Sequence, residues 1–599
     1  MSAQFVVGID LGTTNCVVAY APLVREEPQI ELLRISQLTA PGALESRTAL
    51  PSFTYLAGEH EVSGAAYDVP WAQERRFAVG ELARRQAAEA PDRTVSAAKS
   101  WLCHSRVDRR QPILPWNAPE TVGKISPVTA TQRYLEHLAG AWDSQFPDSL
   151  LAAQEVVLTV PASFDAVARE LTREAALAAG LPAELVLLEE PQAAVYAWLA
   201  TVGARWRKQL KLGDQLLVCD VGGGTTDLTL VGVTEEQGDL VLQRLAVGDH
   251  LLVGGDNMDL ALAHFVAGQF AEQGVELDPW QSVALWHSCR AAKEALFSEE
   301  GEHETYSISV LGRGSKLIGG TVSVDVERDR VARFLLDGFF PPCEVEDRPQ
   351  RQQVSGFREI GLPFESDTAI TRHLAAFLGS QSDGENEGSY PSHVLFNGGV
   401  FKADVLRQRL LDVLGSWGGQ GRKPARLEGA GDLDHSVARG AAYYGWAKRR
   451  GGIRIRGGVA RSYYIGIETA GLAVPGAPRP LRALCVVPFG MEEGTEREVP
   501  SGEVGLVLGE PAHFRFFSSV NRKQDQPGDL LSAWGPEELV ESDSLEATLP
   551  MDEGVDEPYV SVRFESRITE LGVFELWCAS TKREGRWKLE FSVREDPED

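Results

Sequence analysis

Residues 216–231 read LLVCDVGGGTTDLTLV, and the fold turns on what three glycines and two threonines do between two runs of strand formers. Consecutive glycines lose backbone entropy on folding and pack nothing. The spot must need bare backbone, and close approach of a phosphate is the usual reason. Two familiar phosphate loops are excluded. A P-loop needs a Lys after its last glycine, and none follows Gly224. A dinucleotide fingerprint needs a third glycine opening a helix. Asp227 stands there instead, and Leu228-Thr229-Leu230-Val231 reads as strand. The stretch is predicted to be a β-hairpin with Gly222, Gly223, Gly224 and Thr225 at its tip, Asp220 just before it and Asp227 just after.

The pattern occurs twice. Residues 5–20, FVVGIDLGTTNCVVAY, bring an apolar strand to Asp10, turn through Gly12, Thr13, Thr14 and Asn15, and leave as an apolar strand. Two such hairpins suggest a duplicated nucleotide-binding unit, with phosphates gripped between two lobes. Backbone N–H groups and Thr hydroxyls can hold phosphate oxygens. Asp10 and Asp220 can hold a hydrated Mg²⁺, which keeps its waters and takes few carboxylates. Two ordinary hairpins with Asx-type turns are the plain alternative. For one hairpin alone that alternative competes; the repetition favours phosphate binding.

The chain has 599 residues, 43% hydrophobic and 24% charged, a globular composition with room for several cores. A net charge of −28 disfavours nucleic acid and anionic membrane as partners, since both need positive patches. The seven cysteines are scattered singly with no CxxC pair, which fits a reducing cytosol rather than zinc or thioredoxin-type chemistry. The N-terminus runs into the first strand without a basic region and cleavage site, and no apolar run is long enough for a bilayer. A cytoplasmic location is expected.

Along the chain, residues 1 to about 190 alternate strands and helices. EVVLTVPASF is a buried strand stopped by Pro161, followed by an amphipathic helix with Asp165 as N-cap and Gly180 as C-cap. A strand ends at LVLLEEP, and QAAVYAWLA begins a helix. The second hairpin opens a second lobe. Residues 278–297 read as helix, PPCEVEDRPQRQQ and GSQSDGENEGSYPS as loops around the short helix AITRHLAAFLG, and HVLFNGGVF as strand-turn. SVARGAAYYGWAKRR is a helix with small residues on one side. The Gly/Arg-rich RGGIRIRGGVARSYY reads as a linker. Beyond it the helix period vanishes, and YYIGIET, LRALCVVPF, GEVGLVLG, AHFRFFSSV, PYVSVRFE, VFELWCAS and RWKLEFSV recur as short strands between turns, arguing an antiparallel β-sandwich. The expected division is residues 1–450, a linker 451–462, and a β-domain 463–599.

VVGIDLGTTN, LEEPQAAVYAW, VCDVGGGTTD and GGDNMD, in that order, resemble the nucleotide-binding domain of the seventy-kilodalton heat-shock chaperones of the DnaK type. SYYIGIET and the closing ITELGVFELWCASTKREGRWKLEFSV resemble, more weakly, the first and last strands of that family's peptide-binding domain. The resemblance implies an α/β, two-lobed actin-like ATPase fold of duplicated ribonuclease H-like domains, then a C-terminal antiparallel β-sandwich. It implies ATP and ADP as ligands, Mg²⁺ held through water by Asp10 and Asp220, and K⁺ as a candidate second cation. Lys99, in AAKSWL, takes the place of the family's catalytic Lys near the γ-phosphate, where its charge can hold the attacking water. An exposed surface Lys is its bland alternative. Glu190 matches the catalytic carboxylate before a Pro. Successive side chains on an extended segment point to opposite faces, so only one of Glu189 and Glu190 should enter the cleft. Thr13, Thr14, Gly222, Gly223, Gly224, Thr225 and Asp227 match phosphate-side residues. Pro161 matches a switch proline and Arg169 a relay arginine, with strand terminator and helix-surface charge as plain readings.

The adenosine side departs from the family. Gly254 and Gly255 fit, but Arg290, Lys293 and Phe297 stand where the family has Glu, Lys and Ser; Ser298 substitutes if the helix end shifts by one residue. Gly398 and Gly399 fit the adenosine loop, Val400 and Lys402 replace its Ser and Arg, and Asp434 matches a further acid. Adenine stacking on the Arg290 guanidinium is a remaining option. The linker is basic and glycine-rich instead of leucine-rich and acidic, and the expected chain is a divergent member without the helical lid.

The leading expectation is an ATP-dependent chaperone: slow hydrolysis, with water held by Lys99, Glu190 and Asp220, switches binding of unfolded polypeptide segments, alongside a J-domain co-chaperone and a nucleotide exchange factor. The alternative is a nucleotide-sensing interaction protein with little hydrolysis and a dedicated partner. A sugar or acetate kinase fits poorly, because no substrate-phosphorylating motif accompanies the hairpins.

Overall fold

The computed structural model describes residues 3–591 except 62–64, 105–106, 117, 237–238, 299–302, 312–320, 351–361, 363, 382–389, 419–421, 451–454, 457, 460, 469–480, 493, 509–510, 536–537, 549–558, 570–573 and 583–584. The loop GSQSDGENEGSYPS and the segment GLAVPGAPRPLRAL lie largely outside the described residues, as do residues 451–454, 457 and 460 of the Gly/Arg stretch.

Two sheets of mixed polarity repeat one pattern. In the first, Val186–Glu189, Glu155–Val160 and Phe5–Leu11 run parallel, and Asn15–Pro22 and Glu31–Leu32 continue antiparallel. In the second, Ala425–Arg426, His393–Asn397 and Gln215–Val221 run parallel, and Thr226–Glu236 and Asp239–Val247 continue antiparallel. Each hairpin is the central antiparallel pair of its sheet. Asp10 faces Val17 across the first, and Asp220 faces Asp227 across the second. The central strands are apolar runs buried along nearly their whole length, as strands covered on both faces must be.

Two helices fill the space between the sheets. Glu190–Val202 follows the LVLLEE strand, and Ser436–Arg450 crosses it on its small-residue face. A Cβ on Gly440 would lie 1.7 Å from the Ala193 carbonyl oxygen, and one on Gly8 would lie 2.4 Å from the Ala438 carbonyl oxygen. The glycine and alanine stripe thus lets backbones touch. The helix Ala166–Ala178 is capped as its sequence indicates: Asp165 accepts from the Ala168 N–H, and Gly180 adopts φ +83° just beyond the end.

From Ser462 on, the described residues hold strands and no helix, and every pairing there is antiparallel. Tyr559–Ile568 alternates exposed and buried residues with period two. Ile465, Leu484, Phe516, Phe564 and Leu576 share one core. Thr495–Glu498, Leu530–Leu531 and Val540–Thr548 are strands that hydropathy did not reveal.

The Gly/Arg stretch is more than a linker. Ile455–Arg456 pairs parallel with Leu242 and Gln243 at the edge of the second sheet, and the Ile455 N–H donates to the Tyr196 hydroxyl at 2.9 Å. One apolar residue among glycines suffices, because the sheet edge offers unpaired backbone groups. The β-unit also touches the lobes. Ala166 joins its core, Arg461 Nη2 donates to the Ser163 carbonyl, and Lys523 Nζ donates to the Leu245 carbonyl. Among the described residues no helix is long and apolar enough to cross a membrane.

Gly440→Ala should cost about 1–3 kcal/mol or more, because its Cβ meets backbone that cannot turn aside. Gly268→Ala, in helix Gly255–Glu272 with nothing within 4 Å, should instead stabilise by about 0.5–1 kcal/mol. Urea unfolding of the two variants beside the parent checks both signs.

Candidate nucleotide site

The two hairpin tips meet head on. A Cβ on Gly223 would lie 2.1 Å from Thr14 Oγ1, and one on Gly224 would lie 2.5 Å from Ser100 Oγ. The glycines are therefore bare partly for a reason the sequence did not disclose: the opposite lobe occupies the space. The first tip is pinned by Ser52, whose Oγ donates to the Gly12 carbonyl at 2.7 Å and whose N–H donates to the Thr14 carbonyl. The second is seated on the start of helix Gly255–Glu272, where the Gly255 and Asp256 N–H groups donate to the carbonyls of Gly222 and Gly223. Those amides are spent on the hairpin.

Between the tips opens a cleft of about 560 Å³, within the usual range for a small-molecule site. Asp10, Gly12, Thr13, Thr14, Asn15, Lys99, Glu190, Asp220, Gly222, Gly223, Thr225 and Asp227 line its inner end. Gly255, Arg290, Lys293, Ser298, Gly398, Gly399 and Asp434 line the remainder. Gly224, Gly254, Pro161 and Arg169 do not line it. Gly224 faces Ser100 and Thr13 of the opposite lobe, and Gly254 sits against the Gly222 and Gly223 carbonyls.

Lys99 is 8% exposed, not a surface lysine, and its ammonium bonds directly to Glu190 Oε1. Glu190 opens its helix, where the backbone N–H groups favour an anion. Asp220 accepts from Asn397 Nδ2 at 2.7 Å, and Ser436 Oγ in turn donates to Asn397 Oδ1 at 2.6 Å. Asn397 and Ser436 escaped the sequence reading, although Asn397 stands directly before the two glycines of FNGG. Gly398 has φ +86°, and a Cβ there would strike the Val221 carbonyl oxygen at 2.2 Å. Glu189 turns away from the cleft, as alternation requires. Its carboxylate bonds Arg169 Nη2 at 2.9 Å and the buried Arg244. Arg169 also reaches the carbonyls of Ala162 and Phe164, beside Pro161.

The inner end is rich in acid. Burial, then Glu190, raises Asp10 to about 7 and Asp220 to about 8. Burial also raises Glu190 and Asp227. For Lys99, burial opposes the charge, but Glu190 and Asp10 outweigh it and the ammonium is held above its ordinary value. Four carboxylates against one ammonium make an environment suited to a divalent cation. Among the described residues no three acidic, His or Cys side chains are close enough to chelate a metal directly.

The outer end is neutralised internally. Arg290 bonds Asp256 Oδ1 at 2.5 Å and Asp259 Oδ2 at 2.9 Å, and Lys293 bonds Asp259 Oδ1 at 2.6 Å. The guanidinium edge is committed, while its Cζ lies 5.6 Å from the Trp286 ring centre. Both Phe297 and Ser298 line the cleft; the helix ends at Leu296, and Ser298 Oγ donates to the Ala295 carbonyl. Lys402 pairs with Asp434 at 2.6 Å on the rim.

A cleft of twin Gly–Thr hairpins with opposed aspartates places the chain in a class of duplicated two-lobed proteins, and the comparisons narrow that class. Residues 68–335 match the family model for Hsp70 protein. A chaperone protein HscA homolog of Pseudomonas aeruginosa (strain PAO1) is 33% identical over 315 residues, covering 51% of this chain and 44% of that protein. The HscA homolog of Pseudomonas putida (strain KT2440) is 33% identical over 306 residues, covering 49% and 42%. Chaperone protein HscA of Enterobacter sp. (strain 638) is 30% identical over 278 residues, covering 44% and 38%. The chain thus spans less than half the length of the curated relatives it matches. Over about half of its length the chain is thus similar to Hsp70-type chaperone proteins.

Asp10 and Asp220 keep their protons in the folded chain to about 7 and about 8, against an ordinary 3.8. Between those values unfolding releases protons, so rising pH favours the unfolded chain at these two sites. Mg²⁺ stabilises the ionised forms. The gain in Tm from adding MgCl₂ with ADP should therefore grow from pH about 5 to about 8.5, and it should shrink in Asp10→Asn. Thermal scans across pH measure it.

Proposed function

We propose that the chain is an ATP-dependent molecular chaperone of the DnaK type, in which ATP binding and slow hydrolysis regulate capture of unfolded polypeptide segments. In this reading residues 1–450 form an actin-like ATPase domain of duplicated ribonuclease H-like halves, 451–462 a connecting segment, and 463–599 a β-sandwich that receives the segment. The repeated sheet order and the all-antiparallel strands after Ser462 support the division. The observation that carries the functional reading is the buried Lys99–Glu190 pair, set between the two hairpin tips and beside Asp10 and Asp220.

In detail, Thr13, Thr14 and the tip amides would hold phosphate oxygens. Asp10 and Asp220 would hold hydrated Mg²⁺, which supplies charge neutralisation on the phosphates when bound. Lys99 would orient the attacking water, and Glu190, raised by burial, would sit where it can accept the water's proton. Asn397 fixes the Asp220 carboxylate and Gly398 keeps backbone close behind it. K⁺, a cytoplasmic setting, a J-domain co-chaperone and a nucleotide exchange factor belong to the same reading. The sensor alternative keeps one observation in its favour: the Arg290 edge is already committed to Asp256 and Asp259, which alters the adenosine side.

The test is single-turnover ATP hydrolysis with Mg²⁺ and K⁺, together with release of a labelled unfolded peptide on adding Mg-ATP. Lys99→Ala should slow hydrolysis by roughly 10²-fold or more, as loss of a charge stabilising the transition state does. Peptide release should slow with it. Tight ATP binding with neither hydrolysis nor peptide release would favour the sensor. Unchanged hydrolysis in both Lys99→Ala and Glu190→Ala would remove the catalytic assignment.

A further inference from the structure

Ser163 lies in the turn between strand Glu155–Val160 and helix Ala166–Ala178, 3% exposed and outside every motif read from the sequence. Its hydroxyl is 2.5 Å from Asp227 Oδ1 and 2.6 Å from His250 Nδ1. A hydroxyl has one proton to give, and an ionised carboxylate can only accept. Ser163 therefore donates to Asp227, and His250 Nδ1 must carry the proton that Ser163 Oγ accepts. The rest of the ring agrees. His250 Nε2 is buried without a hydrogen-bond partner among the described residues, so a proton on Nδ1 leaves a bare lone pair there rather than an orphaned N–H. Burial, and then Arg461, push His250 down to about 4, so the ring is neutral near pH 7. Its edge packs against Phe164, 6.1 Å between centres.

The Ser163 carbonyl accepts from Arg461 Nη2 at 3.3 Å. Asp227 lines the phosphate end of the cleft. Burial and Glu189 act to raise it; the Ser163 bonds and Lys99 act to lower it. Around His250, Arg461 and Lys99 disfavour a second proton, and Asp165 favours one.

We propose that Ser163 and His250 are positioning residues for hydrolysis: His250, protonated on Nδ1, holds the Ser163 hydroxyl toward Asp227 and keeps that carboxylate aimed at the cleft beside Lys99. The proposal rests on the ATPase reading for its consequence, but not for its hydrogen bonds.

Two measurements on the full chain test it. In protein selectively ¹⁵N-labelled at histidine, the His250 resonances, assigned by their loss in His250→Gln, should show a neutral ring protonated on Nδ1. An Nε2–H ring overturns the arrangement, with or without hydrolysis. In single turnovers, Ser163→Ala should slow hydrolysis roughly 10- to 100-fold, the loss of one hydrogen bond to a charged group. The Kd for Mg-ATP should stay close to the parent's. Ser163→Thr keeps a hydroxyl and should restore the rate. Ala and Thr variants that behave alike, whether both active or both unable to bind nucleotide, overturn the proposal. A parent protein that binds ATP without hydrolysing it removes the catalytic role together with the ATPase reading, and the His250 spectrum then decides the hydrogen bonds alone.

Discussion

The head-on approach of the two hairpin tips constrains everything else in the two-sheet part of the chain. Thr14 Oγ1 stands where a Gly223 side chain would begin. The same rule governs the rest of the seam. Gly8 and Gly440 let the helix Ser436–Arg450 touch the first sheet and the neighbouring helix, and Gly398 lets the loop after His393–Asn397 lie on Val221. Interiors are packed as densely as organic crystals, so a methyl group at any of these points has nowhere to go. The lobes are held at one separation by the absence of side chains, and that separation sets the width of the cleft.

Given that width, the electrostatics follow. The seam gathers Asp10, Glu190, Asp220 and Asp227 around a single ammonium, that of Lys99. Burial holds the carboxyls above their ordinary range. Such a cluster is uncomfortable for the fold alone and well suited to a ligand that brings positive charge. The outer end of the cleft is the opposite case. Arg290 and Lys293 already neutralise Asp256 and Asp259, so little charge is left over to recognise a base. One cleft thus contains an end that demands a partner and an end that has satisfied itself.

The turn 161–166 connects this chemistry to the β-unit. Arg169 and Arg244 hold Glu189 on the face opposite Glu190. Ala166 packs into the β-core and Arg461 bonds the Ser163 carbonyl. A buried carboxylate held by two guanidinium groups is costly to break because either partner's loss leaves charge unpaired. The turn is therefore stiff where it meets both the cleft and the β-unit.

Much was legible along the chain because it is local. Both hairpins, the Asp165 cap, the small-faced helix Ser436–Arg450 and seven of the late strands depend on residues close in sequence. Alternation required that only one of Glu189 and Glu190 enter the cleft, the family resemblance pointed to Glu190, and the structure has Glu190 in the cleft lining and Glu189 bonded to Arg169 and Arg244. Val540–Thr548 went unread because Glu541, Asp543 and Glu546 dilute its apolar pattern; its pairing with Pro511–Ser519 stabilises it instead. Ile455–Arg456 went unread because two residues among glycines carry no period, and only the waiting edge of the second sheet makes them a strand. Asn397, Ser436, Arg244, Ser163 and His250 were invisible for a shared reason: each matters through a partner distant in sequence. The sequence by itself determined the duplicated hairpins, the family resemblance and most of the residues that line the inner end of the cleft, because backbone geometry and motif spacing are written in neighbouring residues. Tertiary structure decided why the glycines are bare, which acids are buried together and which side chains orient them. Those are properties of distances between lobes, and no local run of residues encodes them.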